Sequence, residues 1–528
     1  ESNPSAGNKL RGLYNITLKS LGAVHKKDPR TRIDAAIDYA EPLGEPGFYF
    51  MNGPGNDLEG IAGQVGAGCN LFLFITGNGS ITNFPFVPTL KITTTTRRHQ
   101  LLIHEMDINA GRYLDGESME ALTAEAFDLV RATAAGRRSQ GERAGHSQVS
   151  LWRNWQQTDT SHLAEIRARQ KPDGFPITIK LSPADSRPDL TVNLRRPIGC
   201  FSTERVGLVL PTSMCAAQIA RLAAERMNAK GIAEAHGLSR FVALTHSEGC
   251  GFGGENMYHL LYRTYRGYAT HPNVAAALLL EHGCEKVPND AMRRQFETAN
   301  VPLDRFGWAS VQLDGGIEKS LAKVEAWFTE RLTASPASTS SATGLGALTL
   351  GLMSAAPSSD NTASTFVSVT RAILAAGGSV LLPESDPLLA NAALRRALLG
   401  SVTPHATLAY GEPFTQPGLH LVATESDHWV ENLTGLGGCG AHLFLTLVSQ
   451  HARQGHPLLP VLQVAEAADR GRLPADDIDT FLSGNASTDI TQLLRLVTST
   501  AQRELTPAST AIGATDFQLS RGLLGVTT

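Results

Sequence analysis

His246, Glu248 and Cys250 fall on one glycine-rich run, THSEGCGFGGEN, and Cys284 and Glu285 fall on a second short run, EHGCEK. Histidine, cysteine and glutamate all ligate metal ions, and glycine lets backbone N–H groups come close to a carboxylate or phosphate. His246, Cys250, Cys284 and Glu285 are therefore candidate metal ligands, and His246 is also a candidate acid–base group. A cysteine that follows an apolar strand also reads as a small core residue, so both readings stand. PTSMC, from Pro211 to Cys215, joins a strand-like run to a helix-like one. Thr212 or Ser213 can cap that helix while its free N–H groups face an anion, which makes both candidate substrate contacts.

A second group lies in the first 110 residues. NGPGND, GQVGAGCN, TGNGS, Lys91 and MDINAG bring small polar and acidic residues to loop positions. Asn56, Asn70, Asn78 and Asn109 are candidate substrate contacts. Lys91 offers a cation for a carboxylate, with Asp107 as the partner that fixes it. Surface turns and one salt bridge would account for the same residues. GFGGEN lacks the GxGxxG order of a dinucleotide site, and ITGNGS lacks the Lys-Ser/Thr ending of a phosphate loop.

The elements that must position these residues alternate. GFYFM, NLFLFIT and VPTLKIT read as strands ahead of a helix from Glu117 to Ala135. RVGLVLP, RFVALTH, NVAAALLL, WASVQL, LGALTLGLM and GGSVLLPE read as strands separated by helical runs, the last of them from Pro387 to Leu399. This predicts an α/β fold of several domains, with parallel-rich sheets flanked by helices and ligands at the carboxyl ends of the strands. The expected order is an α/β domain over 1–157, a connector over 158–196 with a strand at Pro176 to Leu181, and a middle α/β domain over 197–332. A flexible Ser/Thr/Ala link over 333–343 follows. Residues 344–404 then complete the middle domain, and 405–528 form a last domain.

The first domain recurs in the last. Pro46 to Ile92 matches Pro417 to Val464, pairing Asp57 with Asp427, Cys69 with Cys439, and Pro85 and Pro88 with Pro457 and Pro460. MDINAG answers DDIDTF. A period this long marks a duplicated domain rather than a solenoid repeat. Asn56, Asn70, Asn78 and Lys91 become Ser426, Gly440, Val448 and Gln463, which reads as one working copy and one worn one.

With 528 residues the chain has room for several cores, and a formal charge of -4 gives no field suited to polyanions, so nucleic acid is not an expected partner. No run of about 18 apolar residues is present, so no membrane span is expected. The six cysteines stand singly, without CxxC spacing, which fits a reducing cytoplasm. Glu1 reads as neither an ordinary start nor a signal peptide, so we expect something upstream of it.

In order, NPSAGNK, AGCN, TGNGS, VPTLK and MDINAG resemble the tail domain of the altronate/galactarate dehydratase family, and ERVGLVLPTSMC, THSEGCG, HPNV and GCEK resemble its middle domain. The resemblance runs through nearly the whole chain. It implies a hydro-lyase that turns a sugar acid into a 2-keto-3-deoxy acid with iron(II), manganese or magnesium. It also implies that an upstream polypeptide portion supplies domains missing ahead of the first tail, and we expect a homo-oligomer. Two departures matter. Asn78 stands where the family turn TTGRGS has arginine, which weakens bidentate grip on a second acid group. SSDNTASTF is all that remains of SDxxSGxTANP, with Ser359 and Asp360 recognisable. These departures leave two rivals: a non-catalytic partner of an active half, and a lyase that expels another group such as sulfite.

Overall fold

Long, uninterrupted apolar strands such as VGLVLP and VAAALLLE form when both faces of a parallel sheet are covered, and the middle of this chain is built that way. The computed structural model describes residues 4–10, 12–145, 147–152, 159–169, 171–187, 190–195, 201–250, 252–254, 256–334, 340–523 and 525–527. Glu1, Cys200, the domain boundaries expected at 157/158 and 196/197, and residues 335–339 of the expected link lie outside the described residues.

The first 157 residues contribute two small parallel sheets. β1 (Ala35–Ile37) pairs with β2 (Tyr49–Met51), and β3 (Phe72–Thr76), β4 (Thr89–Thr93) and β5 (Ile108–Asn109) pair in that order. The helix Asp57–Ala67 joins β2 to β3; Asn56 caps it by accepting from the Leu58 and Glu59 amides, and Gly68 ends it at a left-handed φ of 116°. The expected helix is present as Met119–Ala134.

The connector holds β6 (Thr191–Arg195). The strand expected at Pro176 to Leu181 is reduced to one antiparallel bridge from Ile177 to Leu419. Proline and the polar residues around it leave nothing there to sustain a ladder. Next come β7 (Val206–Pro211), β8 (Arg240–Ala243), β9 (Phe252–Gly254), β10 (Val274–Glu281) and β11 (Phe306–Ser310). The middle sheet runs β11-β10-β7-β8, parallel throughout. Ile219, Val324 and Phe328 cover one face against Val209 and Leu278, while Leu261, Tyr265, Met292 and Phe296 cover the other against Leu208 and Leu279.

Residues 340–344, the end of the expected flexible link, form β12 (Ser340–Gly344), antiparallel to β6. The backbone there is held by a ladder, which low apolarity does not rule out. β13 (Thr349–Ser354) and β14 (Ser379–Pro383) follow, then β15 (Leu419–Val422), β16 (Leu443–Leu447), β17 (Val461–Ala465), β18 (Thr480–Phe481) and β19 (Gly525–Thr527), the last antiparallel to β9. The last sheet is β15-β14-β13-β16-β17-β18, all parallel. Residues 344–404, expected to complete the middle domain, instead supply two strands to this sheet, because β13 finds its hydrogen-bond partner in β16. The chain winds outward from β13 to β15, then returns to β16 and winds the other way, as in doubly wound sheets.

A seam of buried histidines joins the middle and last sheets. His456 Nε2 lies 2.9 Å from the Tyr268 hydroxyl, His271 Nε2 lies 3.0 Å from the Ala441 carbonyl, and His442 Nδ1 accepts the Thr349 amide at 3.1 Å. Burial is the main cause holding all three below the usual histidine range, to about 4 for His271 and about 3 for His442 and His456. They fold neutral, so their contribution is fully present above the unfolded value near 6.5 and is lost as pH falls towards 3–4. Melting temperature should therefore drop between pH 7 and pH 5. A melt that does not move over that range would show these rings protonated or exposed in the fold.

Candidate functional site

Cys215 opens the helix Met214–Ala229 directly after β7, Cys250 follows β8, and Cys284 follows β10. Three neighbouring parallel strands thus deliver one thiol each to the carboxyl edge of the middle sheet. Hydrogen bonding to Cys250 is the first cause raising the Cys215 thiol well above the usual range; burial adds to it, as do Cys284 and Asp57 nearby. None of the described cysteines forms a disulfide. His282 Nδ1 lies 3.3 Å from the Cys284 sulfur.

The first domain closes over this edge. Leu58 and Ile81 enter the same core cluster as Met214, Cys215 and Ile219. Gln148 Nε2 donates to the Met214 carbonyl at 2.6 Å, Gln312 Nε2 donates to the Gly79 carbonyl at 2.8 Å, and the Ile317 amide donates to Glu105 at 2.7 Å. The chain start packs here too: Ser5 Oγ donates to the Cys284 carbonyl and the Gly7 amide to the Glu285 carbonyl. A Cβ on Gly7 would stand 2.7 Å from the Gly283 carbonyl oxygen, so only glycine fits that approach.

Charge gathers around the thiols. Lys286 is brought down to about 8, first by burial and then by Lys19 and Arg521, while Cys250 nearby opposes the shift. Arg521 Nε donates to Glu248 at 3.0 Å, and Gln518 Nε2 donates to the same carboxylate at 3.1 Å, tying the chain end to the β8 loop. Asp57 is half-buried, and burial raises its carboxyl against the lowering effect of Lys19, Lys26 and Ser80. The Ser80 hydroxyl lies 3.5 Å from it. Three cations, one carboxyl of raised pKa and three thiols gathered at one sheet edge can bind an anion and move protons.

The residues expected from sequence divide. Glu285 is fully buried, and its carboxylate accepts from Thr212 and Ser213 (3.0 Å each), the His282 amide (2.7 Å) and the Gly283 amide (2.5 Å). Thr212 and Ser213 therefore serve Glu285, with Ser213 also capping the helix. His246 Nδ1 accepts the Glu248 amide at 3.0 Å; its Nε2 faces the Pro211 carbonyl at 2.9 Å and the Tyr265 hydroxyl at 2.5 Å. Burial lowers its pKa, so it is a neutral ring that braces β7 against β8.

Asn56 is the helix cap already described, and Asn109 accepts the Gly111 amide at 3.0 Å to cap a short turn. Asn70 is exposed. Asn78 is half-buried and donates to Asn8 Oδ1 at 3.3 Å, which keeps it at the cleft mouth. Asp107 meets Lys91 through the Lys91 backbone amide (2.8 Å), and its second oxygen accepts the Gln140 amide at 2.7 Å.

Lys91 is not a loop cation. It lies within β4, is 0% exposed, and its Nζ has no hydrogen-bond partner among the described residues. Burial lowers it to about 8 against the pull of Asp107 and Glu105. A Cβ on Gly141 would stand 3.0 Å from that Nζ and 2.9 Å from Asn83 Oδ1, so the space over the ammonium is kept by a glycine.

Residues 1–157 match the profile for D-galactarate/altronate dehydratase, C-terminal, and residues 194–335 match that for D-galactarate dehydratase/altronate hydrolase, second domain. The chain belongs to the altronate/galactarate dehydratase family. Altronate dehydratase of Escherichia coli is 34% identical over 152 residues, 29% of this chain and 30% of that protein. Altronate dehydratase of Bacillus subtilis is 35% identical over 125 residues, 24% and 25%. The (2R)-sulfolactate sulfo-lyase subunit beta of Chromohalobacter salexigens is 29% identical over 154 residues, 29% and 40%. The chain thus aligns with a quarter to two-fifths of these curated relatives.

The four ligands expected from the sequence, His246, Cys250, Cys284 and Glu285, do not come together as a metal site among the described residues. His246 has both ring nitrogens in use and Glu285 has four donors on its carboxylate; among the described residues no group of three or more His, Cys, Asp and Glu is disposed to hold a metal ion. Cys215, Asp57, Lys19, Lys286 and Arg521 were not expected at the site. The one available signal was that PTSMC, SEGCG and HGCEK each place a cysteine after a predicted strand.

Proposed function

We propose that the chain acts as a sugar-acid hydro-lyase of the altronate or galactarate kind, at the junction of its first and middle domains. The observation that carries this reading is the meeting of three thiols and Lys286 of the middle domain with Lys19, Asp57 and Ser80 of the first, the two parts that match the family. Lys286, with Lys19 and Arg521 beside it, suits the substrate carboxylate. Asp57, whose carboxyl burial raises above the usual carboxylate range, suits protonation of the leaving hydroxyl. The reaction breaks the C–H bond next to the carboxylate and the neighbouring C–O bond, releases water, and leaves an enol that becomes the 2-keto-3-deoxy acid. Lys91, buried in the first domain beside Asp107 and Glu105, is a cation that this reading assigns to stabilising the anionic transition state.

No membrane-crossing helix occurs among the described residues. The test is 2-keto acid formation from altronate and galactarate, with Lys286→Met in parallel. Turnover by the parent and a KM at least tenfold higher in Lys286→Met are expected; turnover with unchanged KM would remove Lys286 from the carboxylate. A second reading is favoured by Asn78 in place of the family arginine together with the sulfo-lyase relative: the same elimination would expel sulfite. Sulfite release from (2R)-sulfolactate without 2-keto acid from either sugar acid would select it.

A further inference from the structure

The turns that carry Cys250, Cys215 and Cys284 follow the neighbouring strands β8, β7 and β10, and they are fastened to one another through their main chains. The Met214 amide donates to the Glu248 carbonyl at 2.7 Å, and the Lys286 amide donates to the Gly249 carbonyl at 3.0 Å. Each of these links lies within two residues of a thiol at both ends. Glu285, which accepts from Thr212 and Ser213, ties the third turn to the first. The turns touch so closely that a Cβ on Gly249 would stand 2.5 Å from Ser213 Cα and from the Thr212 carbonyl oxygen. The fold therefore holds three sulfurs together at one sheet edge before any ligand arrives. The two other described cysteines lie apart: Cys69 packs against the Ile61 and Phe72 cluster, and Cys439 belongs to the core around Tyr268 and Leu436.

Three such thiols form a soft, metal-seeking donor set, and their surroundings favour negative charge. Cys215 stands in the first turn of the helix Met214–Ala229, whose amide end attracts anions, and Lys286 lies near Cys250. His282 Nδ1, 3.3 Å from the Cys284 sulfur, can donate to it as a thiolate. Crowded thiols keep their protons, as Cys215 does through its hydrogen bond to Cys250 and then its burial, and bound metal takes the place of such protons. Spacing and number decide which metal. A single tetrahedral ion with bonds of about 2.3 Å to sulfur draws its sulfurs to within roughly 4 Å of one another and asks for a fourth ligand. Among the described residues no His, Cys, Asp and Glu group gathers around one ion in that way. An iron–sulfur cubane puts a separate iron under each thiolate, so it spans sulfurs set further apart and needs no common centre.

We infer that Cys215, Cys250 and Cys284 bind a cubane iron–sulfur cluster of the 4Fe–4S type through three of its irons, leaving the fourth iron without a cysteine ligand. That iron is open to oxygen ligands. On the hydro-lyase reading it takes the leaving hydroxyl of the sugar acid as a Lewis acid, with no change in its oxidation state. Only that role rests on the proposed reaction; the cluster rests on the three turns.

The test is anaerobic reconstitution of residues 1–528 with sulfide and equal amounts of ferrous and ferric iron, the proportion held by the oxidised cubane, followed by desalting. About four irons and four sulfides per chain, with a broad absorption band near roughly 400 nm, are expected. Cys250→Ser and Cys284→Ser, both at half-buried positions, should each lose about three-quarters or more of the sulfide, whereas Cys69→Ser should keep all of it. Should either of the first two fail to fold, alkylation of the parent reads the same point: iodoacetamide should label Cys250 and Cys284 at least about tenfold more slowly after reconstitution. Iron without sulfide, a cluster retained by both serine variants, or alkylation indifferent to reconstitution would each overturn the inference. A cluster without turnover on either sugar acid would leave the inference standing and remove the proposed reaction. Turnover by protein that takes up no cluster would do the reverse.

Discussion

Replacing Lys91 by glutamine should make the protein more stable and less active at once. The ammonium is buried without a hydrogen-bond partner among the described residues, and a value of about 8 against 10.5 for an exposed lysine corresponds to a cost on the order of 3 kcal/mol at neutral pH. Because the folded value is the lower one, the unfolded chain holds the extra proton between pH 8 and 10.5. Stability of the parent should therefore rise across that window, and the advantage of Lys91→Gln should fade over it. Glutamine is accommodated at the corresponding position of the last domain, where Gln463 accepts the Arg453 amide at 2.7 Å and donates to its carbonyl at 2.8 Å. If the charge serves the transition state, kcat should fall about tenfold or more with KM little changed, the pattern of a site that trades stability for function. Denaturant melts from pH 7 to 10 and steady-state kinetics on the same variant read both effects. A variant of lower stability and full activity would make Lys91 a structural residue.

Glu285→Ala should produce the largest loss of stability of any change at the cleft. Its carboxylate is the shared acceptor for two hydroxyls and two amides, and it locks the end of β7 to the loop that carries Cys284. Removing it strands four buried donors at about 1–3 kcal/mol for each that finds no new partner, less what relaxation and water recover; roughly 3–5 kcal/mol in all is expected. The hydroxyls can rotate to other acceptors, so the two amides should dominate. Urea unfolding measures this, and a loss under 1 kcal/mol would mean that water replaces the carboxylate. Iodoacetamide should label Cys284 faster in the variant, since its loop would no longer be held.

Glu285 also shows where sequence reading stops. GCEK made it look like a metal ligand, because a glutamate beside a cysteine after a strand is a ligand type at a ligand position. What claims its oxygens are backbone amides and hydroxyls supplied by the turn itself, and no side-chain spacing records them. The same holds at His246, where the Pro211 carbonyl and the Glu248 amide that occupy its ring are main-chain groups. The strands were readable, since VGLVLP, NVAAALLL and GGSVLLPE are short apolar runs set between helical patterns. Assignment of β13 and β14 to the last sheet was not, because an apolar strand does not encode which parallel neighbour it pairs with.

The cleft draws on both extremes of the chain. Ser5 reaches Cys284 across 279 residues and Arg521 reaches Glu248 across 273. Contacts so distant in sequence form late, because the long loops between them must close first. During synthesis the middle sheet can be complete while its thiol edge still waits for Arg521 to emerge. Newly made molecules should pass through a stage with Cys250 and Cys284 open to oxidants, and translation that stops short of Arg521 should leave a folded sheet without its Glu248 contact.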